Sequence, residues 1–338
     1  MTFKNGVYNP YDLEAAKKLD AFLPSKLFDA HAHLYDESFI SGDANDGGAF
    51  SIRTRCEVPD YLEDMRYLFG EREVRMNIVT TPDAAMVAPK GEKRQASVTF
   101  LKNQLELYPE NVGEVMVGPD DTVDDVNSML VHPSIRGFKC YHLLAHEKPT
   151  WNAPIGDYLP ESAWEVADKH GFVITLHMVR DECLADPVNS EYIVRMAKKY
   201  PNAVLILAHA ARSFAAWTAV ESVDAVKHLE NVWFDFSGVC ESPAEFTIMK
   251  KCGVDRCMFG TDYPISRLAG KAISLADRFY WINENDLARF GGATEFHSWL
   301  VGTESAMALR QACLMLELGE SDVEKIFYQN AMRLFRLN

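Results

Sequence analysis

Short apolar segments alternate with amphipathic segments along most of the chain, and Gly or Pro marks many of the boundaries. The amphipathic patterns at 160–169 and 190–199 predict helices, and Ser242 followed by Pro243 is typical of a helix N-cap and the first helical residue. Eight short, largely apolar segments predict strands: 27–33, 74–80, 112–117, 135–141, 172–177, 203–209, 232–236 and 257–259. The segment 172–177 is rich in β-branched residues.

Eight alternating strand and helix units predict an α/β fold, a closed parallel (β/α)8 TIM barrel. An open doubly wound sheet is the alternative. That fold usually carries a Gly-rich turn after its first strand, and the turn after residue 33 has no such glycines. The barrel is therefore the preferred prediction.

Residues 1–26, with a helix predicted at 11–23, form an N-terminal extension, and residues 27–338 form the barrel domain. The segment after Asp262 is predicted to be long and helical, and the sequence from Ser321 to Glu324 is predicted to be a capping box that begins a final helix. Long connections at 35–60, 82–97, 141–160 and 264–302 are expected to cover one face of the barrel. Their Gly- and Asp-rich part at 41–48 is either a lid or a flexible loop.

Composition limits the classes of partner. The 338 residues carry 34 Lys and Arg against 49 Asp and Glu, a net charge of −15, which argues against nucleic acid or an anionic membrane as partner. Apolar runs such as 203–208 are far shorter than the roughly 20 residues that cross a bilayer. The beginning of the chain has no apolar signal-peptide region, so we expect a cytoplasmic protein with a small-molecule substrate, and a homodimer is the commonest assembly.

The first predicted strand ends in Asp29-Ala30-His31-Ala32-His33. Because strand side chains alternate, His31 and His33 point to one side, which in a barrel is the lumen. Two imidazoles from one strand end can hold one divalent metal, and the alternative is a pair of exposed or hydrogen-bonded histidines. Asp29 is expected on the same face, one layer deeper, where it either orients an imidazole N–H or serves as a structural carboxylate.

Four further polar residues end predicted strands. Lys139, His177, His209 and Asp262 each stand at the carboxyl end of a different strand, and their separations fit one, one and two βα units. Barrel enzymes build their active sites at this end of the barrel. The sequence therefore predicts that these side chains converge with the first-strand histidines.

The sequence resembles the amidohydrolase superfamily, specifically its amidohydrolase-related (amidohydrolase 2) branch, which includes the aminocarboxymuconate-semialdehyde decarboxylase type. The resemblance rests on the first-strand motif, on the segment 260–264 (Gly-Thr-Asp-Tyr-Pro) and on the Asn-Ala-x-x-Leu-Phe ending at 330–335. It implies a (β/α)8 barrel that holds a divalent metal, Zn or alternatively Mn. The residues it implies as metal ligands are His31, His33, His177 and Asp262, with His209 as an acid/base or a ligand of a second metal.

The chemistry of these residue types is consistent with that implication. A divalent cation lowers the pKa of bound water to about 7 and polarises a carbonyl group. Asp262 can bind the metal and accept the proton of the water, and His209 can transfer protons near neutral pH. Lys139 has three open roles: a bridge between two metals, a substrate-binding cation or a salt-bridge partner. The last two are favoured because this branch is usually mononuclear.

Arg180 and Arg212 each follow a site histidine by three residues, where a guanidinium could hold a substrate carboxylate bidentately or pair with one of the many acidic residues. Tyr141, His142, His146 and Trp151 are expected to form one wall of the pocket, with plain packing as the alternative for Trp151. The leading hypothesis is a metal-dependent hydrolase of a lactone, ester or amide. Its rival is a non-oxidative decarboxylase on the same site, and the third hypothesis is a barrel that binds metal or ligand without catalysis.

Overall fold

The computed structural model describes residues 10–40, 53–283, 286 and 298–337. Eight parallel strands lie in one sheet in chain order. They are β1 Lys26–Leu34, β2 Glu73–Thr80, β3 Val112–Met116, β4 Ile135–Tyr141, β5 Val173–His177, β6 Val204–Leu207, β7 Val232–Asp235 and β8 Cys257–Met258. The segment after β8 returns to β1, where the backbone N–H of Ala30 donates to Phe259 and that of His33 donates to Tyr263, each at 3.0 Å. The predicted (β/α)8 barrel is thus confirmed.

Helices lie between successive strands and pack on the outside of the barrel. The described α-helices are Pro10–Asp20, Val58–Asp64, Arg66–Phe69, Glu92–Leu107, Val123–Ser128, Glu161–His170, Pro187–Lys199, Trp217–Ser222, Ser242–Cys252, Val301–Met315, Glu320–Glu324 and Asn330–Leu334. Lys325–Gln329 forms a π-helical turn. Short 3-10 helices are Ala84–Met86, His142–Leu144, Thr150–Asn152, Ile155–Asp157, Cys183–Ala185, Val223–Ala225, Val254–Arg256 and Ile265–Arg267. No helix in the described part of the chain is long and apolar enough to cross a membrane.

The chain after β8 differs from the helical segment predicted there. It forms an antiparallel hairpin of β9 Lys271–Leu275 and β10 Arg278–Ile282 before the helix Val301–Met315. Ile273 and the aromatic residues of β10 favour strands, and Ala276 makes the tight turn with φ 56°. The predicted lid or loop at 41–48 lies outside the described residues. The division of the chain at residue 26 stays a prediction.

Helix starts also shift by one to three residues. The helix predicted from residue 190 begins at Pro187, because Asp186 is its N-cap and accepts a hydrogen bond from the Val188 N–H. Ser242 is the first helical residue rather than the N-cap, which is Glu241. Ser321 lies inside a helix that begins at Glu320, so the predicted capping box does not form. The helix predicted at 11–23 is Pro10–Asp20.

A bulge in β1 decides which side chains face the lumen. The register of β1 against β2 shifts between Asp29 and Ala32. Before the shift, Phe28 and Ala30 join an apolar cluster with residues of other strands, which closes the amino end of the barrel. After the shift, His31 takes the inward position. One extra residue thus places both the apolar base and the first-strand histidines in the lumen.

The lumen cluster draws its strand members from six strands: Phe28, Ala30, Val112, Val173, Ile206, Trp233 and Met258. The C-terminal helix packs against them through Met332 and Phe335, and the Phe335 ring stacks on Phe28 with centroids 5.5 Å apart. This end of the barrel is therefore sealed by apolar side chains. The chemistry gathers at the opposite end.

Candidate active site

The polar strand ends predicted from the sequence meet at the carboxyl end of the barrel. His31 Nε2 lies 3.2 Å from His33 Nε2 and 3.2 Å from Lys139 Nζ. His177 Nδ1 lies 3.2 Å from His209 Nε2. All of these side chains except His177 are buried, and His177 is partly buried. The structure thus brings the predicted histidines and the lysine into one cluster.

Asp262 completes the cluster from the loop after β8. Its Oδ1 lies 3.6 Å from His33 Nε2 and 3.8 Å from His31 Nε2, and its Oδ2 lies 3.9 Å from His209 Nδ1. The backbone N–H of Asp262 donates to the His31 carbonyl at 2.8 Å, which holds the loop against β1. Its φ of 53° is left-handed, an unfavourable conformation of the kind that clusters at functional sites.

The ring nitrogens of His31 and His33 are arranged for a metal. His31 Nδ1–H donates to Asp235 Oδ2 at 3.1 Å, and His33 Nδ1–H donates to the Val79 carbonyl at 3.1 Å. These acceptors fix the tautomer in which both Nε2 lone pairs point to the same space. With a carboxylate oxygen of Asp262, the two Nε2 atoms form a group whose members all lie within 4.8 Å of one another. Two imidazoles and one carboxylate fit a divalent ion such as Zn or Mn.

His177, the fourth predicted ligand, is in neither of the groups of possible ligand atoms found among the described residues. Its Nδ1 faces His209, and its ring lies 4.4 Å from the Tyr141 ring. The second group consists of His31, His209 and Asp235. Its members are joined by hydrogen bonds, because Asp235 accepts from both histidines.

His209 lies in an unusual turn. The predicted strand 203–209 ends at Leu207, and the next residues, from His209 to Arg212, have φ between 52° and 60°. Left-handed backbone at a residue other than Gly is unfavourable by roughly 1–2 kcal/mol. Hydrogen bonds hold the turn: Asp235 accepts from the His209 backbone N–H at 3.2 Å, and Ser237 O accepts from His209 Nδ1–H at 2.9 Å. The turn aims His209 at the site.

Burial dominates the electrostatics of the cluster. It raises the pKa of Asp262 to about 7 and lowers the pKa of His209 to about 3. Burial, followed by the charges of other site residues, also lowers the pKa values of His33 and His177. The lowered pKa values favour the neutral forms of His33, His177 and His209, which are the forms that bind a metal or accept a proton.

Below the cluster lies a polar layer that the sequence interpretation missed. Glu114 Oε1 accepts hydrogen bonds from Asn77 Nδ2 at 2.6 Å and Thr175 Oγ1 at 2.8 Å, and burial raises the pKa of Glu114 to about 7. Burial lowers the pKa of Lys139, while Asp235 and Glu114 act in the opposite direction. Alternation along the predicted strands 112–117 and 232–236 could have indicated these two inward-facing acids.

Asp29 does not orient an imidazole. Because it lies on the outer side of the β1 bulge, it accepts hydrogen bonds from Tyr61 Oη and Thr261 Oγ1, both at 2.5 Å, and from the backbone N–H groups of Thr261 and His31 at 2.9 and 3.0 Å. The expectation that Asp29 shares a face with His31 is therefore wrong. Asp29 instead ties β1 to the loop that carries Asp262.

A cavity of about 270 Å³ opens between Trp151, Arg180, Arg212 and Phe279, and its described lining includes none of the cluster's side chains. It is linked to the cluster by His142, which contacts Trp151 and His177, and by Phe214, which contacts Phe279 and His209. The Arg212 guanidinium lies 5.4 Å from the Trp151 ring and 5.2 Å from the Phe279 ring, and no carboxylate in the described part of the chain forms an ion pair with it. Arg180 is engaged, since Nε donates to Asp186 at 2.5 Å. Both guanidinium groups line one cavity. Arg212 has no carboxylate partner among the described residues and can bind an anion, whereas Arg180 is already paired with Asp186.

The wall expected after β4 is partly formed. The His142 ring lies 4.2 Å from the Trp151 ring, and burial followed by the charge of Arg212 lowers the pKa of His142 to about 4. The Tyr141 ring packs on the His177 ring, with centroids 4.4 Å apart. His146 is exposed and pairs with Asp120 at 3.1 Å.

The β9–β10 hairpin places two aromatic side chains, Phe279 and Trp281, against Phe214, and the sequence interpretation did not predict this aromatic wall. The Phe214 ring lies 5.5 Å from His209, 5.0 Å from Phe279 and 5.3 Å from Trp281.

Solved structures of other proteins share this fold. An amidohydrolase from Burkholderia multivorans with bound zinc is 13% identical, with a TM-score of 0.59 over 92% of this chain and 99% of that chain. A putative 2-pyrone-4,6-dicarboxylic acid hydrolase from Pseudomonas putida is 15% identical, with a TM-score of 0.54 over 93% and 98%. A dihydroxybenzoic acid decarboxylase from Polaromonas with bound manganese and 2-nitroresorcinol is 15% identical, with a TM-score of 0.58 over 92% and 97%. Similarity at this level of identity shows the fold.

No curated protein matches the chain in sequence. A family model described as amidohydrolase matches residues 28–337, nearly the whole of the chain. The match includes both β1 histidines, the loop with Asp262 and the C-terminal helix that seals the barrel. The resemblance inferred from the sequence motifs is confirmed, and the chain belongs to the amidohydrolase family.

Proposed function

We propose that the protein is a metal-dependent hydrolase that cleaves a C–O or C–N carbonyl bond, in a lactone, ester or amide, of a small carboxylate-bearing metabolite. The observation that carries the proposal is the buried group of His31 Nε2, His33 Nε2 and the Asp262 carboxylate, with both Nδ1 protons held by acceptors behind the rings. Such a group in a barrel lumen fits a divalent cation, because imidazole nitrogens and carboxylate oxygens are the usual protein ligands of such ions.

The same residues would hold the ion, and His177 is proposed as the fourth ligand. A bound divalent ion would supply a water of lowered pKa and a polarised carbonyl group. Zinc is the first choice and manganese the second, since His and Asp ligands suit both. Lys139 lies at the edge of this group, 3.2 Å from His31 Nε2, and we propose that it binds the substrate as a cation.

Proton transfer is assigned to Asp262 and His209. In hydrolysis, Asp262 would accept the proton of the attacking water and return it to the leaving group, because its carboxylate lies beside the Nε2 atoms of His31 and His33 that would hold the ion. His209 is neutral and has its Nδ1 proton held by the Ser237 carbonyl, so Nε2 is its acceptor atom. This nitrogen can take a proton from the substrate or from His177, whose Nδ1 lies 3.2 Å away.

Substrate binding is assigned to the cavity beside the cluster. Arg212 is stacked between two aromatic rings and free of a carboxylate partner among the described residues, so it can receive a substrate carboxylate through charge-assisted hydrogen bonds. Arg180 lines the same cavity as a weaker candidate because Asp186 already holds it. Tyr141 and His142 are proposed as the opposite wall.

Non-oxidative decarboxylation is the second candidate. Phe214 lies beside His209, and Phe279 and Trp281 pack on Phe214, an aromatic group that favours a flat ring as substrate. In this reaction the substrate would lose CO₂, and Asp262 in its protonated form would supply the proton that replaces the carboxylate on the ring carbon.

The deciding experiment is a substrate screen on protein reconstituted with Zn²⁺ or Mn²⁺. Lactones, esters and amides of carboxylic acids are scored for hydrolysis, and carboxylated aromatics with a ¹³C-labelled carboxylate are scored for labelled CO₂. Asp262→Asn serves as the inactive control. Hydrolysis supports the proposal, and labelled CO₂ alone supports the second candidate. Full metal occupancy with neither product supports a barrel that binds metal or ligand without catalysis.

A cytoplasmic location and a homodimer remain proposals drawn from the sequence. Gel filtration with light scattering tests the assembly directly.

A further inference from the structure

We infer that Asp235 is a positioning residue that fixes the tautomer of His31 and joins this metal-binding side chain to the His209 turn. The inference rests on the proposed metal site. Asp235 ends β7 and is fully buried. No sequence motif pointed to it, and its role follows from its hydrogen bonds.

The two oxygens of Asp235 serve different elements. Oδ2 accepts the His31 Nδ1–H at 3.1 Å, across the barrel lumen from β7 to β1. Oδ1 accepts the His209 backbone N–H at 3.2 Å and the Ser237 backbone N–H at 3.1 Å, and it also bonds to Ser237 Oγ. One carboxylate thus accepts from four donors on three segments.

This arrangement determines which ring nitrogen of His31 is free of a proton and can bind a metal ion. A neutral imidazole carries one proton, and a carboxylate beside Nδ1 keeps the proton there. Nε2 then offers its lone pair toward His33 and Asp262. With the proton on Nε2 instead, an N–H would point into the proposed metal position and repel a cation.

The same bonds argue against a second metal at Asp235. The alternative group of His31, His209 and Asp235 would use one ring nitrogen of each histidine, and the His31 nitrogen that faces Asp235 is Nδ1. This Nδ1 already donates to Asp235 Oδ2 at 3.1 Å. A cation bound between them would have to displace the Nδ1 proton and break this bond. Asp235 is therefore a hydrogen-bond acceptor for both histidine-bearing segments.

Asp235→Asn tests the inference because the amide has one acceptor atom. Three donors meet Oδ1, so we expect the amide oxygen to take that position and the NH₂ group to face His31 Nδ1. The imidazole must then accept at Nδ1 and carry its proton on Nε2. We expect the affinity for Zn²⁺, measured by competition with a chelating dye, to fall about 10- to 100-fold.

Ser237→Ala is the matched control. It removes a hydroxyl that bonds to Asp235 Oδ1 and also lies 3.3 Å from His31 Nδ1 and 3.0 Å from His209 Nδ1, but it leaves the bond from His31 to Oδ2. If the carboxylate and not the hydroxyl holds the His31 proton, the Zn²⁺ affinity should stay within about twofold of wild type. Circular dichroism and thermal unfolding show whether each variant is folded.

A second measurement does not depend on the variant or on a metal. In metal-free wild-type protein labelled with ¹⁵N-histidine, the His31 ring should show a protonated Nδ1 and an unprotonated Nε2. The His31 signals are assigned by their loss in His31→Asn.

Three results would overturn the inference: a folded Asp235→Asn variant with wild-type Zn²⁺ affinity, a His31 ring protonated on Nε2, or a second bound ion that Asp235→Asn removes. A wild-type protein that binds no Zn²⁺ or Mn²⁺ contradicts the proposed function instead, and the NMR tautomer then still decides the role of Asp235.

Discussion

Glu245 provides a stability test far from the active site. It lies in the helix Ser242–Cys252, which packs against the helix Val301–Met315, and both of its carboxyl oxygens are buried without a hydrogen-bond partner among the described residues. Burial raises its pKa well above the ordinary value of 4.5. The folded protein therefore holds a neutral carboxylic acid in an apolar interface.

Two substitutions separate the effect of the unpaired polar atoms of Glu245 on the free energy of unfolding from the effect of its ionisation. Leaving a buried polar group unpaired is unfavourable by about 1–3 kcal/mol, so Glu245→Leu should stabilise the protein by roughly that amount at pH 5. Glu245→Gln retains the unpaired polar atoms but cannot ionise. Above pH 4.5 the unfolded chain loses the Glu245 proton while the folded protein keeps it, so wild-type stability falls as the pH rises toward the raised pKa. Each pKa unit corresponds to about 1.4 kcal/mol.

Differential scanning calorimetry at pH 5 and pH 8 provides the measurement. The melting temperature of Glu245→Gln, relative to wild type, should be higher at pH 8 than at pH 5. Glu230→Gln is the control, because Glu230 is exposed, and its difference from wild type should be the same at both pH values. Equal differences for Glu245→Gln at the two pH values, or a destabilised Glu245→Leu, would refute the reasoning.

Further substitutions test the proposed site and the buried ion pair between Arg94 and Asp121. His209→Asn should keep the metal content and lower turnover by about 10²–10⁴, the usual contribution of a general acid or base; loss of metal would make His209 a ligand. Arg212→Met should raise KM about 10- to 100-fold with little change in kcat, since it removes a contact made in ground and transition states alike, and a larger effect from Arg180→Met would move the carboxylate site. Asp121→Ala should destabilise the protein by about 3–5 kcal/mol in denaturant unfolding, because Asp121 pairs with the fully buried Arg94 at 2.6 Å; a loss under about 1 kcal/mol would contradict this.

The part of the site that follows from strand periodicity could be predicted. The carboxyl ends of parallel strands meet at one face of a barrel, so Lys139, His177 and Asp262 could be brought together without coordinates. Two-residue alternation also gave the shared direction of His31 and His33. These inferences need only the order of the strands and the position of each residue at a strand end.

Backbone irregularities limited the prediction elsewhere. The β1 bulge reverses the alternation between Asp29 and His31, and no residue in that motif marks it. The left-handed turn from His209 contains no Gly, the residue that usually indicates such a conformation. The role of Asp235 could not be predicted, because it depends on hydrogen bonds from His31 and His209, which are brought to Asp235 only by the folded barrel.

The hairpin after β8 depends on tertiary packing. Its strands are five residues each, short enough to be read as part of a helical segment. Phe279 and Trp281 find their partners on the β6 side of the barrel through Phe214. Sequence alone does not show that contact, so the aromatic wall could be recognised only in the structure.

Anomalous diffraction at the zinc edge, from crystals grown with Zn²⁺, tests the central claim most directly. We predict one strong peak bounded by the Nε2 atoms of His31 and His33 and by the Asp262 carboxylate, and its distance from His177 decides the fourth ligand. A protein without a peak at that position, or with its peak among His31, His209 and Asp235, would contradict the account.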